Sequence, residues 1–153
     1  LADALDVARG YDPALVVSVA TLTGAQVVAL GSRVAAVLTN EDEGADDRLA
    51  RFKEAGVRTG DFVAPLPLFA FFEEYLESDV ADLKNIGGRE AGTITAAKFL
   101  EHFTRDADGR GYPWVHLDIA GPAFLKTAKG YRPKGGTGFG VRLLLDVLMQ
   151  PAA

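Results

Sequence analysis

Leu15–Ala25, LVVSVATLTGA, changes pattern halfway along its length. Leu15–Ala20 is a nearly continuous apolar run rich in valine, which reads as a strand buried on both faces of a sheet. Thr21–Gly31 then leaves the strand through two threonines and a glycine and becomes helical. A strand that exits through small and hydroxyl residues into a helix is the building unit of an α/β layer protein. Working outward, Val34–Thr39 (VAAVLT) reads as a second apolar strand and Trp114–Ala120 (WVHLDIA) as a further one. Asn40 is placed to cap a charged helix from Glu41 to Ala55, with Gly56 ending it. Phe62–Pro67 is a proline-punctuated crossing segment, and Leu68–Glu77 reads as a helix with an aromatic face. Val80–Ile86 alternates apolar and polar residues, the pattern of a strand with one polar side. Gly87, Gly88 and Gly92 mark a loop. Thr93–Arg105 is amphipathic, with Ile94, Ala97, Leu100 and Phe103 on one face and Lys98, Glu101, His102 and Arg105 on the other. Gly121–Gly140 is a long loop rich in Gly, Lys and Pro, and Val141–Met149 reads as a closing helix.

Composition narrows the function classes. Hydrophobic residues make up 48% and charged residues 24% of 153 residues, ordinary for a single globular unit. The net charge of −5 argues against sequence-independent nucleic-acid binding, which needs clustered Lys and Arg. No apolar window is long enough to span a bilayer. Cysteine is absent, which excludes disulfides and thiolate metal sites and fits a reducing cytoplasm. The chain opens at Leu1 directly in a helical pattern (Leu1, Leu5, Ala8) with no capping residue ahead of it. That reads either as residues lost to processing or disorder or as a chain cut within a larger domain, and the second is favoured because an uncapped helix is a poor domain boundary.

Three places could carry chemistry. Ala20–Ala25 (ATLTGA) sits where α/β proteins bind ligands, at a strand's carboxyl end before a helix. It is equally an ordinary strand–helix turn with threonine caps. His116 and Asp118 lie two apart on a strand and share a face, a spacing open both to a metal or base pair and to a buried structural pair. Lys134–Gly140 (KGGTGFG) resembles a phosphate cradle but lacks the preceding strand and downstream acid of a dinucleotide fingerprint. His102 reads as solvated. Asp79, Asp82 and Lys84, and the acidic run Asp42, Glu43, Asp46 and Asp47, read as surface clusters rather than metal sites.

Taken together, Ala20–Ala25, Ala29–Gly31, Asn40, Pro65–Leu68, Ala81–Asp82, Asn85, Thr95–Leu100, Trp114, His116–Gly121 and Thr137–Gly138 occur in the order and spacing of M17 leucyl aminopeptidases. The chain resembles that family over nearly its whole length. Each motif alone is weak; the set is specific.

The resemblance implies an α/β fold, a three-layer α/β/α arrangement around a mixed central sheet. Residues 1–153 would be the carboxy-terminal portion of the catalytic domain, truncated on its amino-terminal side. The implied activity is removal of amino-terminal residues from peptides by two divalent cations (Mn, Zn or Mg) that activate water. The family's metal ligands, catalytic lysine and catalytic arginine match positions before Leu1. No catalytic or metal-binding residue is therefore assigned here, and no metal is expected on this chain alone. Substrate-side positions do carry over: Thr21 and Leu22 line the cleft, the Leu22 carbonyl and the Gly24 N–H bond the substrate backbone, and Ala120 and Ala123 wall the side-chain pocket. The implied partners are a peptide substrate and further copies in a hexamer built as a dimer of trimers. The implied location is cytoplasmic, without membrane or nucleic-acid partners. The alternative is a non-enzymatic assembly or regulatory module that kept the fold without the chemistry.

Overall fold

A computed structural model describes residues 1–150. Its centre is a four-stranded mixed sheet made of β1 (Val16–Ala20), β2 (Ala35–Thr39), β3 (Val63–Pro65) and β4 (Trp114–Asp118), in the order β1-β4-β2-β3. β1 runs parallel to β4, β4 antiparallel to β2, and β2 parallel to β3. β2 and β4 are the inner strands, and every residue of both is buried.

Alternation along the inner strands feeds two cores. Val37, Val115 and Leu117 face α3 (Ala45–Thr59) and α5 (Val141–Met149), packing on Phe52, Ala55, Leu143 and Val147. Ala36, Leu38 and Trp114 face the other way. They pack on Leu5 of α1 (Ala2–Ala8), on Ala97 and Leu100 of α4 (Gly92–Glu101), and on Tyr112. Helices thus cover both faces of the sheet, the layered α/β arrangement. α2 (Gly24–Leu30) packs beside α4. The contact is close: a methyl group built on Gly92 would stand 2.9 Å from the Ala25 Cβ.

Several sequence expectations change. Within the described residues β1 stands at the edge of the sheet, with Ser18 buried and Val19 exposed, where the apolar run reads as a strand buried on both faces. The segment Val80–Ile86 is not a strand. The Ser78 hydroxyl accepts the N–H groups of Val80 and Ala81, and the Lys84 N–H returns to the Leu76 carbonyl at 2.8 Å. These local bonds occupy backbone groups that a ladder would need. Leu68–Glu77 holds a tighter 3-10 turn, Ala70–Leu76, in place of an α-helix. The crossing segment contains β3.

α3 begins at Ala45 after Gly44 and runs past Gly56 to Gly60, whose φ of 75° ends it. Asn40 does not cap it. Its amide donates to the Tyr112 carbonyl and accepts the Trp114 N–H, tying β2 to the start of β4. α4 ends at Glu101, and a 3-10 turn continues to Thr104. Lys98 and Glu101 do not face solvent. They are 3% and 4% exposed and form a 2.7 Å ion pair, and Arg105 bonds the second Glu101 oxygen. The amphipathic reading missed them because one charged pair can satisfy itself within a packed face. The long loop after β4 carries a small ribbon, β5 (Phe124–Leu125) with β6 (Gly135–Gly136).

Candidate functional site

Because β1 and β4 run parallel, the chain leaves both at the same end of the sheet. The segments after them, 21–24 and 119–123, therefore emerge side by side. In open α/β sheets this is where ligands sit.

Asp118, the last residue of β4, joins the two segments. Its side chain is fully buried. One carboxylate oxygen accepts the backbone N–H groups of Leu22 (3.1 Å) and Ala120 (3.2 Å). The other accepts the Thr23 N–H (3.1 Å) and the Thr23 hydroxyl (2.6 Å). A buried carboxylate is tolerated only when its lone pairs are filled, and here four donors fill them. Thr23 is in turn the cap of α2, accepting the Gln26 N–H at 3.1 Å, and its hydroxyl lies 3.0 Å from that of Thr93 at the start of α4.

A second buried side chain locks the turn after β4. The Gln26 amide donates to the Val34 carbonyl at 2.7 Å and accepts the Gly121 N–H at 2.6 Å. Gly121 has no room for a side chain, since a methyl group there would lie 2.1 Å from the Gly31 carbonyl oxygen. Further along, the Ala123 N–H bonds the Ile119 carbonyl, and the Ala123 carbonyl accepts the Thr137 N–H; both are 3.0 Å. The Thr137 hydroxyl donates to the Pro122 carbonyl at 2.7 Å.

The five sequence-assigned positions fall on this ledge. Thr21 and Gly24 are exposed, Leu22 is 39% exposed, and Ala120 and Ala123 are half-buried. A methyl group on Gly24 would meet nothing within 4 Å, so open space lies in front of it. The Asp118 clamp brings Leu22 and Ala120 together directly; Ala123 is held through the turn and Thr137. A cleft of about 490 Å³ lies elsewhere, and none of the five residues lines it.

Of the His116–Asp118 pair, the structural alternative is what the bonds describe. His116 is fully buried beneath the ledge. Its Nδ1 and the Ser18 hydroxyl are 2.9 Å apart and share a hydrogen; the Trp114 indole N–H donates to the same hydroxyl at 2.9 Å. Burial pushes the His116 pKa down to about 4, outweighing the opposing pull of the Asp118 charge. The imidazole is therefore neutral near pH 7. Sequence reasoning missed the roles of Asn40, Gln26 and Ser18. Asn40 reads as a helix cap, and Gln26 and Ser18 belong to no residue pattern that marks them; each acts through partners 70 or more residues away or on another element.

Among the described residues, no three His, Asp or Glu side chains gather where they could share a metal ion. The described side chains do not fit a pair of cations.

Residues 1–145 match the sequence model described as the cytosol aminopeptidase family, catalytic domain. The chain belongs to that family. Curated relatives agree. It is 50% identical over 149 residues to a "Probable cytosol aminopeptidase" of Chlorobium phaeobacteroides and 53% identical over 149 residues to one of Chlorobaculum parvum. Each alignment covers 97% of this chain and 28% of the relative. The chain thus spans just over a quarter of the length of these cytosol aminopeptidases. Among solved structures it is similar to the bottromycin maturation enzyme BotP, with 43% identity and a TM-score of 0.84, covering 97% of this chain and 31% of that one. A second BotP structure, described as a complex with Mn, matches with a TM-score of 0.82.

Proposed function

We propose that residues 1–153 are the carboxy-terminal portion of the catalytic domain of a two-metal leucyl aminopeptidase and form the substrate side of its cleft. The observation that carries this reading is the Asp118 clamp. One buried carboxylate holds the 21–24 segment and the turn after β4 at a common height, with open space ahead of Gly24. Fixed backbone groups on a rigid strand end suit a peptide whose reacting bond must be held within a fraction of an ångström. The Leu22 carbonyl and the Gly24 N–H bond the substrate backbone, Thr21 lines the cleft, and Ala120 and Ala123 leave room for the amino-terminal side chain.

The cations, Mn, Zn or Mg, are held by residues of the intact protein outside this chain. The Mn described for the BotP relative supports manganese. The chain's own contribution is binding and orientation. The exposed stripe Val141, Leu145, Leu148 and Met149 on α5, with exposed Phe69 and Phe71, supports contact with further copies in a hexamer. The lack of cysteine supports a cytoplasmic location. Among the described residues, no helix is long and apolar enough to cross a membrane.

The test is specificity in the intact protein. Ala123→Phe narrows the pocket, and a hydrophobic pocket discriminates by about 1–3 kcal/mol per methylene-sized change. The preference for leucine over alanine substrates, read as a kcat/KM ratio, is expected to fall at least about tenfold, with alanine turnover retained. An unchanged ratio would remove Ala123 from the pocket. Residues 1–153 alone, given Mn or Zn, are expected not to hydrolyse a leucine anilide; turnover by the purified fragment would refute the placement of the ligands outside it.

A further inference from the structure

The cleft of about 490 Å³ is rich in cationic and aromatic side chains. It is lined by Arg33, Lys129 and Arg132, with Phe62, Tyr131 and Phe139. No acidic residue lines it, although the chain carries 21 Asp and Glu against 16 Lys and Arg. No ion pair within the described residues engages any of the three cations. The nearby carboxylate of Asp61 is already committed: it is 2% exposed and accepts from Arg142 at 2.7 Å and from the Gly140 N–H at 3.2 Å.

The wall carrying two of the cations is a tight turn. The N–H of Lys129 bonds the Arg132 carbonyl at 3.0 Å, and the reverse bond is 3.1 Å. Gly130, at φ 58°, makes the reversal. The turn presents Lys129, Tyr131 and Arg132 together, with Tyr131 85% exposed. Phe62, on the segment leading into β3, is 48% exposed. Three cations without an ion-pair partner among the described residues focus a positive field in one concavity, and the Arg132 guanidinium lies 5.7 Å from the Tyr131 ring centroid. Hydrogen bonding to Arg132 and the charges of Arg132 and Arg142 hold the Tyr131 phenol below its ordinary pKa, a sign of that field. Guanidinium forks match phosphate oxygens in pairs, and the exposed rings of Tyr131 and Phe62 beside them offer a stacking face. The volume lies in the range of small-ligand sites.

We propose that this cleft is a binding site for a small organic phosphate carrying a planar ring, of the nucleoside diphosphate class, distinct from the peptide ledge. Arg33, Lys129 and Arg132 hold the phosphates, and Tyr131 or Phe62 stacks on the ring. Recognition runs through side chains, so it does not need the glycine cradle that Lys134–Gly140 fails to provide. The site is independent of the aminopeptidase reading, and its test measures binding rather than turnover.

The experiment is calorimetric titration of the intact protein, at low ionic strength, with pyrophosphate and separately with ADP. Both are expected to saturate, with ADP bound about tenfold more tightly because of the ring. The triple variant Arg33→Gln, Lys129→Gln, Arg132→Gln is expected to weaken both by about tenfold or more. Tyr131→Ala is expected to bring ADP down toward pyrophosphate. If the triple variant fails to fold, Lys129→Gln alone, at an exposed position, is expected to weaken both in the same direction. Absence of saturable binding for both probes would overturn the proposal. So would unchanged binding by the variants, ADP no tighter than pyrophosphate, or an acidic peptide that binds where neither phosphate does.

Discussion

Acid should unfold this chain partly through one histidine. His116 is fully buried with its pKa lowered to about 4, against 6.5 for a free imidazole. The sign follows from proton counting. Between pH 6.5 and 4 the unfolded chain binds a proton at His116 that the folded chain does not, so stability falls as pH falls through that window. The drop corresponds to a few kcal/mol in all, most of it lost between pH 7.5 and pH 4.5. Other groups titrate in the same range, so the variant His116→Gln, which cannot titrate but can still bond the Ser18 hydroxyl, serves as the reference. Urea unfolding of both proteins across that range gives the difference directly. The wild type is expected to lose roughly 2–3 kcal/mol more than the variant. The imidazole resonances of His116 should meanwhile stay those of a neutral ring down to about pH 5. Parallel stability curves for the two proteins, or a ring that titrates near 6.5, would refute the reasoning.

The ledge supplies the remaining predictions. Gly121→Ala should destabilise the fold by about 3 kcal/mol or more, because the new methyl group meets the Gly31 carbonyl oxygen; a melting temperature equal to wild type would contradict it. Gly24→Val should do the reverse, leaving the melting temperature nearly unchanged, since the space there is open, while the intact enzyme loses turnover; wild-type kinetics would make Gly24 a mere turn residue. Asp118→Ala strands three backbone N–H groups and a threonine hydroxyl and should cost on the order of 3–5 kcal/mol. Asp118→Asn, keeping one acceptor oxygen, should cost less, and equal losses in denaturant midpoints would show that the clamp is not what holds the two segments.

Much of the fold is written locally. Runs such as Val34–Thr39 and Trp114–Ala120 are apolar over a strand's length, and Val141–Met149 is a run of helix-forming residues; each needs only nearest neighbours to be read. The hydroxyl and glycine exit from β1 likewise marked where a ledge would form. What the sequence could not show is which strands sit inside the sheet. Val16–Ala20 and Ala35–Thr39 look equally apolar, yet among the described residues one stands at the sheet's edge and the other is wholly buried, because pairing order is a property of the assembled sheet. The same holds for Val80–Ile86, whose alternation had no sheet edge to serve. It holds also for Lys98 and Glu101, whose charges look solvated until packing places them together. The clamp itself lay beyond reach: Asp118 is joined to Leu22 and Thr23 across more than ninety residues, and only the parallel register of β1 on β4 brings them within a hydrogen bond. Local residue choice determined the elements and the exits from them. Long-range pairing decided which side chains meet, because hydrogen bonds and desolvation act over a few ångströms of space and carry no record of distance along the chain.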